Sequence, residues 1–485
     1  MATARVSVMP VGLSSVPLGS AAIEPFRGLL EPAEWNTFIA TMRDVSAALK
    51  GRRIWNINST AHGGGVAEML DWEIPYERAV GMDVGWLVIQ GGTPFFSFTK
   101  RLHALLHGVA ADGLQISDAE REEYERTLAR NAQALNRQVR AGDVAILHDP
   151  QTAGLIPELV RRGSCAVWRC HVGIDEPNDV ARAAWRFLLP YVGAAHACVF
   201  SRRAYVWEGL DVGKVRVIPP AIDAFSPKNA EMDPDTVTAI VTATGILADG
   251  TRGVAPSFRA RNGTAVHVER ATTLVPSARL PANARLIVQV SRWDRLKDPL
   301  GVMQGFAEFV APETDGHLIL AGPGISSVAD DPEEAAVFRQ VEERRQGLPA
   351  EVRDRTHLAR LPMENPEENA AIVNALQRRA DVIVQKSIRE GFGLTVAEAM
   401  WKGRPVVASR VGGIQDQVED GRSGILVDPH DLQSFGVAVV GLLHDAKRAA
   451  RLGSAARDRV RREFLAPHLL VQQAQLIQSL LQAQQ

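Results

Sequence analysis

Short apolar runs alternate with longer amphipathic stretches along most of the chain. In the first half the apolar runs include 54–60, 84–90, 143–149 and 165–172, and in stretches such as 95–108 apolar residues recur at three- and four-residue spacing. Short apolar runs are typical of buried strands, and the wider spacing is typical of helices. The alternation therefore predicts a doubly wound α/β domain with a parallel sheet.

A second alternation of the same kind follows, with apolar runs at 284–292, 316–322, 381–385, 404–409 and 423–427. It predicts a second doubly wound domain. Open α/β sheets bind ligands outside the carboxyl ends of their strands. We therefore expect two Rossmann-like domains facing a central cleft, with the active site in that cleft.

A proline-rich segment separates the two alternations. Four prolines within 215–235 make a continuous helix or strand implausible and indicate a domain linker. The following segment, 236–280, has weak periodicity, and we interpret it as a surface insertion or mobile loop. We predict an N-terminal domain over 1–222, a C-terminal domain over 223–465, and a helix over 466–485, for which packing back on the N-terminal domain is one option.

Composition and charge narrow the classes of function. The 485 residues are 46% hydrophobic and 23% charged, which is a globular composition. A formal net charge of −2, without a long run of one sign, excludes the usual electrostatic basis for binding nucleic acid or an anionic membrane. We attribute the excess of 46 Arg over 8 Lys to genomic base composition, so each lysine carries more information than each arginine.

The cysteines and the apolar runs point to a cytoplasmic protein. Cys165, Cys170 and Cys198 are odd in number and form no C-x-x-C pair, so we expect reduced, buried side chains. No 18 apolar residues run together, and Pro10 and Pro17 interrupt the N-terminal stretch that a signal peptide would need.

A run of three glycines is the first candidate for a binding site. Gly63, Gly64 and Gly65 lie between a predicted strand and a predicted helix, where backbone N–H groups and the helix dipole can approach a phosphate. A tight strand-to-helix turn is the alternative, and the full G-x-G-x-x-G fingerprint is absent.

A cationic loop after the first strand of the second domain is the next candidate. Arg292 and Lys297 lie five residues apart at the ligand-binding edge, and two such cations can hold the two phosphates of a diphosphate. The alternative is a solvated loop in which Asp298 serves as an ion-pair partner.

The most specific motif follows a later apolar strand and contains Glu390, Gly391, Phe392, Gly393, Leu394 and Glu398. The two glycines allow a sharp turn, so that a helix beginning near Leu394 directs its N–H groups at a phosphate. Glu390 can accept hydrogen bonds from sugar hydroxyls, and Glu398, one turn into the helix, from a ribose. The alternative is a pair of surface glutamates.

Polar residues follow two neighbouring strands of the first domain. His148, Asp149 and Gln151 follow one strand, and Arg169 and His171 end the next, at the edge where a sugar acceptor would be held. A histidine at a strand end is otherwise a satisfied structural residue. The acidic stretch near 175–179 precedes a helical pattern and is interpreted as a helix start, so no metal site is predicted.

Together these motifs resemble a known family. SRWDRLK (291–297) and EGFGLTVAEAM (390–400) are similar to the retaining GT-B glycosyltransferases of the glycogen-synthase and sucrose-synthase kind, over most of 285–465.

The first domain narrows the resemblance. WNINSTAHGGGVAEML (55–70), HDPQTAGLIPEL (148–159), WRCHVGID (168–175) and SPKN (226–229) resemble the trehalose glycosyltransferring synthases and, more distantly, the retaining trehalose phosphorylases.

This resemblance implies a GT-B enzyme that makes α,α-trehalose from a nucleoside diphosphate glucose and glucose, with retention at the donor carbon. In the family pattern Arg292 and Lys297 bind the diphosphate, Glu390 holds the donor sugar and Glu398 the ribose. The glycines at 63–65 lie beside the phosphates.

The resemblance also assigns residues of the first domain. His171 matches a position that contacts the donor sugar near its reacting face, and Asp149 lies in the acceptor region, with Gln151 and Arg169 as further substrate-binding residues. We expect no tightly bound cofactor and no essential metal, and a homodimer is one possible assembly. A retaining trehalose phosphorylase, a glucosyltransferase with another acceptor and a catalytically silent sugar-nucleotide sensor remain as alternatives.

Overall fold

The computed structural model describes residues 7–8, 13–110, 113–248, 253–324 and 332–483. The chain divides into two compact units, Met1–Ala221 with Phe464–Gln485, and Ile222–Glu463. Each unit contains a mostly parallel sheet with helices, which confirms the predicted doubly wound α/β class.

Within the described residues, the sheet of the first unit has the strand order β1-β2-β4-β3-β5-β6-β7-β8. Its strands are β1 (Ser7–Val8), β2 (Leu13–Ser15), β3 (Ile54–Asn58), β4 (Val84–Ile89), β5 (Val144–His148), β6 (Cys165–Cys170), β7 (Ala197–Phe200) and β8 (Val215–Val217). β2 pairs antiparallel with β1 and β4, and the strands from β4 to β8 are parallel.

The central strands of this sheet are apolar on both faces because helices cover both. Cys165 and Val167 of β6 join one hydrophobic core, while Ala166 and Trp168 join the other. A parallel strand buried on two faces is a continuous apolar run rather than an alternating one. The helices are α1 (Pro32–Ala48), α2 (Gly65–Ala79), α3 (Thr93–Leu106), α4 (Asp118–Leu135), α5 (Asp149–Thr152), α6 (Ile156–Arg161) and α7 (Asp179–Val192).

The second unit contains a small hairpin and a larger sheet of strand order β11-β14-β13-β12-β15-β16-β17 within its described residues. The strands are β9 (Ser257–Arg259), β10 (Ala265–His267), β11 (Thr273–Val275), β12 (Leu286–Val290), β13 (His317–Pro323), β14 (Thr356–Leu361), β15 (Val382–Gln385), β16 (Val406–Ser409) and β17 (Ile425–Val427). β9 and β10 form the hairpin, β11 is antiparallel to β14, and the remaining pairs are parallel.

The helices of the second unit surround its sheet, and one more helix ends the chain. They are α8 (Pro234–Ala243), α9 (Pro299–Gly305), α10 (Pro332–Gln346), α11 (Ala350–Arg353), α12 (Pro366–Arg379), α13 (Leu394–Trp401), α14 (Ile414–Gln417), α15 (Leu432–His444), α16 (Ala446–Glu463) and α17 (Ala466–Ala483). α17 belongs to the first unit and packs against α1 and α2 there. Across the described residues, every helix is too short or too polar to cross a bilayer.

The segment 236–280 differs from the loop that its weak periodicity predicts. It contains most of α8 and the three short strands β9, β10 and β11, joined by loops, while 249–252 lies outside the described residues. Asp233 caps α8 by accepting a hydrogen bond from the backbone N–H of Thr236 at 2.9 Å, and α8 packs against α12. The cap, Pro234 and the apolar spacing of Val237 and Ile240 were the available helix signals.

Other strands were also absent from the sequence prediction, namely β1, β2, β7, β8 and β14. Val215–Val217 forms β8 although it lies in the predicted linker, because the prolines begin only at Pro219. Thr356–Leu361 forms β14, whose run is interrupted by polar His357 and Arg360.

Candidate functional site

The carboxyl edge of the first unit's sheet brings two of the predicted histidines together. His148 ends β5, and His171 follows β6, its neighbour in the sheet. Nδ1 of His148 lies 3.1 Å from Nε2 of His171, and Nε2 of His148 lies 3.0 Å from Oδ1 of Asn56 on β3. The three side chains form a continuous hydrogen-bonded row along this edge.

With Oδ1 of Asn56 as the acceptor, the hydrogen bonds of this row determine which nitrogen of each imidazole ring donates its proton. His148 then donates from Nε2, its Nδ1 is an acceptor, and His171 donates from Nε2 to it. Burial lowers the pKa of each imidazole well below its ordinary value, and the positive charge of Arg169 lowers both further. Both histidines are therefore neutral near pH 7.

Asp149 adopts an unusual backbone conformation beside this pair. Its φ is 61°, in the left-handed region that side chains other than Gly, Asn and Asp rarely adopt. Its Oδ1 accepts a 2.8 Å hydrogen bond from the His171 backbone N–H, and its carbonyl accepts one of 3.1 Å from the Trp168 indole. Burial raises the pKa of the half-buried carboxyl to about 7, although the hydrogen bond from His171 opposes that shift.

Two further predicted residues of this edge have different surroundings. Gln151 is half-buried in the short helix α5. Arg169 is 2% exposed, and its Nη1 donates to Oε1 of Gln473 on α17 at 2.8 Å. Its guanidinium also lies 3.8 Å from buried Glu73 of α2. The guanidinium therefore has partners inside the first unit, and its predicted contact with a sugar stays a prediction.

Gln473 links three elements of the first unit through this buried group. It accepts from Arg169 and donates from Nε2 to Oε1 of Glu77 at 3.0 Å. Glu73 and Glu77 lie one turn apart on α2, and burial raises the pKa of both carboxyls. Gln473 was not predicted from the sequence, because no residue near it in the chain indicates that Arg169 and Glu77 are its partners.

We expect Gln473→Leu to destabilise the protein by about 1–3 kcal/mol, because it leaves buried Arg169 and Glu77 each without a hydrogen bond. Urea unfolding monitored by circular dichroism measures the change. Gln472→Leu, a half-buried neighbour on the same helix, is the matched control. Equal stability of the two variants would contradict a structural role for the Gln473 contacts.

The glycine run of the first unit forms an open turn before α2. Gly63 and Gly64 have φ values of 75° and 83°, and both are exposed. A Cβ atom added at Gly63, Gly64 or Gly65 would meet no atom within 4 Å, so the left-handed φ of Gly63 and Gly64, and not crowding, favours glycine at these two positions.

In the second unit, the structure brings Lys297 and Glu390 together. Lys297 ends a short 3-10 turn after β12, and its Nζ lies 2.5 Å from Oε2 of Glu390 in the loop after β15. Ser387 Oγ also lies 3.4 Å from this carboxylate oxygen. The backbone N–H of Ile388 donates to the carbonyl of Leu296 at 2.8 Å, which ties the two loops to each other. The Lys297 side chain keeps 19% of its surface exposed.

Arg292 has different neighbours from Lys297. Its side chain is 58% exposed, with Nη2 at 2.9 Å from Asp294 and Nη1 at 3.9 Å from Glu334. Asp298, which the alternative interpretation offered as a partner in this loop, pairs with Lys386, a fully buried lysine that sequence reasoning missed. The carboxylate partner of Lys297 is therefore Glu390 and not Asp298.

The glycine turn at 391–393 has the predicted geometry. Gly393 has a φ of 82° and caps α13, which begins at Leu394. A Cβ at Gly393 would lie 2.9 Å from Ile414, so space as well as conformation requires glycine here. The carbonyl of buried Phe392 accepts a 2.5 Å hydrogen bond from Gln417, and that of Gly391 accepts one of 3.0 Å from the Gly413 backbone. These bonds hold the start of α13 in place.

Glu398 lies inside the second unit, one turn into α13. Its Oε1 is 3.0 Å from Nζ of Lys228, and Nζ of Lys402 donates to its carbonyl at 3.2 Å and to Oδ1 of Asn229 at 3.0 Å. Burial lowers the pKa of Lys402 to about 7. The loop at 226–229 therefore supplies a lysine to this carboxylate. The contact between Glu398 and a ribose stays a prediction.

Two family models match the chain. The model described as the N-terminal domain of trehalose synthase matches residues 56–207, and the model of glycosyl transferases group 1 matches residues 272–459. The first range includes the histidine row, and the second includes Lys297, Glu390 and Glu398.

Curated relatives match over nearly the whole chain. A trehalose synthase from Rubrobacter xylanophilus is 35% identical, covering 97% of this chain and 99% of the relative. A trehalose synthase from Pyrococcus horikoshii is 31% identical, covering 92% and 94%. A trehalose phosphorylase from Pleurotus sajor-caju is 27% identical, covering 87% of this chain but 56% of that relative.

Solved structures show the same fold at low sequence identity. A UDP-forming α,α-trehalose-phosphate synthase from Burkholderia vietnamiensis has a TM-score of 0.62 at 15% identity, over 88% of this chain and 98% of that one. HepE from Anabaena, solved in complex with UDP and glucose, has a TM-score of 0.59 at 15% identity, over 88% and 100%. The predicted GT-B fold is thereby confirmed.

Proposed function

Because the chain belongs to the trehalose synthase family, we propose that it transfers glucose from a nucleoside diphosphate glucose to free glucose, forming α,α-trehalose with retention at the donor carbon. The membership confirms the resemblance inferred from the motifs. The observation that carries the proposal is the contact between Lys297 and Glu390, which joins a cation for phosphate to a carboxylate for sugar hydroxyls.

The leaving group sets the main requirement of this reaction. Breaking the bond between glucose and phosphate leaves an oxocarbenium-like sugar and a diphosphate, so preplaced positive charge at the diphosphate lowers the barrier. Lys297 and Arg292 supply that charge, and the N–H groups after Gly393 supply oriented dipoles. Glu390 holds Lys297 and accepts from the donor-sugar hydroxyls.

The acceptor sugar must transfer its hydroxyl proton to a base as the new glycosidic bond forms. In the proposed front-face attack, the leaving phosphate oxygen takes the proton from the acceptor hydroxyl as the new bond forms on the same face of the sugar. His171, neutral near pH 7, contacts the donor sugar near this face, and Asp149 accepts hydrogen bonds from the acceptor sugar.

The first experiment mixes the purified protein with glucose and, in separate reactions, UDP-, ADP- and GDP-glucose. Trehalose together with one nucleoside diphosphate is the expected product pair, and the preferred donor identifies the base. Donor hydrolysis without trehalose would contradict glucose as the acceptor. Absence of turnover with every donor would contradict the nucleotide-sugar reaction.

A retaining trehalose phosphorylase is the second candidate, since curated trehalose phosphorylases also match the chain at 26–27% identity. Such an enzyme replaces the nucleotide with inorganic phosphate and has no use for a ribose contact. Glucose release from trehalose only when phosphate is added would favour it.

We expect Glu398→Gln to weaken the binding of the preferred nucleoside diphosphate about tenfold or more, because a charged hydrogen-bond acceptor contributes about 1.5–3 kcal/mol. Calorimetry measures the Kd. Glu419→Gln, at a half-exposed carboxylate of the same unit, is the control. An unchanged Kd in a folded Glu398→Gln variant would rule out the ribose contact.

A further inference from the structure

A basic cavity lies at the amino edge of the first unit's sheet, away from the edge that carries His148 and His171. It has a volume of about 790 Å³ and is bordered where the chain enters β3, β4 and β5. Its charged lining consists of two aspartates, Asp83 and Asp143, and six cations: Arg43, Lys50, Arg52, Arg53, Arg137 and Arg140.

The two aspartates are already engaged by neighbouring groups. Asp83 pairs with Arg53 at 2.8 Å. Asp143 accepts backbone N–H bonds from Arg53 and Arg140, both at 2.9 Å, and a 3.2 Å bond from the Trp55 indole. The Arg53 guanidinium also stacks on Trp55, 4.4 Å from its ring centre. Asp83 is therefore paired with a cation, and both carboxylate oxygens of Asp143 accept hydrogen bonds.

Three of the cations are without a side-chain partner in the described part of the chain. The side chains of Lys50, Arg137 and Arg140 are exposed and have no hydrogen bond or ion pair to any part of the chain that the structure describes. Arg52 makes one long contact of 3.4 Å, from Nη1 to the Gly142 carbonyl. Exposed like charges that converge on one cavity repel each other, so a bound anion would relieve the repulsion.

The negative carboxyl ends of three helices neutralise part of the positive charge that lines the cavity. α1, α2 and α4 end at the cavity, and their three carboxyl ends together carry about −1.5 elementary charges. The lining has four more cations than acids. Positive charge therefore remains after the helix ends are neutralised, although the protein as a whole is slightly negative.

We propose that this basic cavity binds a small organic phosphate. The planar guanidinium group donates two parallel hydrogen bonds to phosphate oxygens, and five arginines with a lysine around one cavity favour a multiply charged ligand over a single carboxylate. The volume is that of an ordinary ligand pocket. A nucleotide and a sugar phosphate share this chemistry, and the test separates them.

The test uses calorimetry with ATP and with fructose 1,6-bisphosphate, at low and moderate salt, with the preferred nucleoside diphosphate in excess so that the proposed donor site is already filled. The variant carries Lys50→Ser, Arg137→Ser and Arg140→Ser. The control carries Arg27→Ser, Arg130→Ser and Arg186→Ser, three exposed arginines of the same unit, and removes the same charge. We expect one ligand to bind the wild type and the control equally, and the cavity variant at least about tenfold more weakly.

The outcomes separate the ligand sources and the competing explanations. Loss of ATP binding alone identifies a nucleotide, and loss of fructose 1,6-bisphosphate binding alone identifies a sugar phosphate. Equal weakening in the control would show a general charge effect and overturn the site. Binding that is unchanged in the cavity variant, or absent from the wild type, would also overturn it. A lower Tm of the cavity variant without any ligand effect would assign these cations to the helix ends instead.

Discussion

Lys297→Ala is expected to lower kcat by about 10²–10³ while changing the Kd of the donor only a few-fold. The ammonium group lies beside Glu390, and in the proposed reaction it faces a diphosphate whose negative charge grows as the glycosidic bond breaks. A cation in such a place stabilises the transition state more than the bound donor, so its loss appears in turnover. Steady-state kinetics together with calorimetry of the nucleoside diphosphate measure the two quantities separately.

Arg295→Ala is the matched control for this variant. Arg295 belongs to the same 3-10 turn and is exposed, so its removal takes away a nearby charge without touching the Glu390 contact. We expect it to retain nearly full turnover. Wild-type kcat in Lys297→Ala, or equal losses in the two variants, would remove Lys297 from the mechanism.

The Lys297–Glu390 pair also predicts a non-additive double variant. Glu390→Gln leaves Lys297 without its carboxylate, and Lys297→Ala leaves Glu390 without its cation. When two residues act as a unit, substituting either one already removes most of their joint contribution to turnover. The double variant is therefore expected to be little slower than the worse single variant.

Features that depend on residues close together in the chain, such as a glycine turn or a buried strand, were predicted from the sequence. The turn at 391–393 was predictable because its glycines follow an apolar run and precede a helical pattern within a few consecutive residues, and Gly393 has the left-handed φ that glycine favours. The strands β5 and β6 were predictable for a similar reason, since burial on two faces makes each a continuous apolar run. The close approach of Ile414, which is distant in the chain, was not predictable.

Partners that are distant in the chain were not predictable from one sequence. Arg169 ends an apolar strand and was predicted to bind substrate, and its contacts with Gln473 and Glu73, both distant in the chain, were not predicted. Similarly, Asp298 pairs with Lys386 while Lys297 pairs with Glu390, a choice that depends on how two loops are arranged in space. No spacing rule within one sequence specifies such pairs.

The burial of Arg169 has a consequence for the histidine row. A positive charge held inside the unit opposes protonation of both His148 and His171, and burial acts in the same direction. Both imidazoles therefore remain neutral in the pH range around 7. A pH dependence of the proposed reaction in that range has to come from another group, and Asp149 is the neighbouring carboxyl whose pKa, about 7, lies within it.

We expect Asp149→Asn to lower kcat/KM for the acceptor by about 10²-fold and to leave nucleotide binding unchanged. Asparagine tolerates the left-handed backbone of this position, and its side-chain oxygen can still accept from the His171 N–H, so the fold is retained. What the variant loses is the carboxylate charge, which strengthens hydrogen bonds from sugar hydroxyls. Asp179→Asn, at an exposed carboxylate of the same unit, is the control.

The pH profile provides a second measurement on the same variant. Since the pKa of Asp149 is raised to about 7, wild-type kcat/KM should rise with pH up to about 7 and then level off, as the carboxyl ionises. Stability follows the opposite direction: a raised pKa in the folded protein contributes stability at low pH, and that contribution is lost as pH rises from about 4 to about 7. Asp149→Asn should remove both dependences. A variant that keeps the activity limb near pH 7 would show that another group titrates there and that the Asp149 charge does not act on the acceptor.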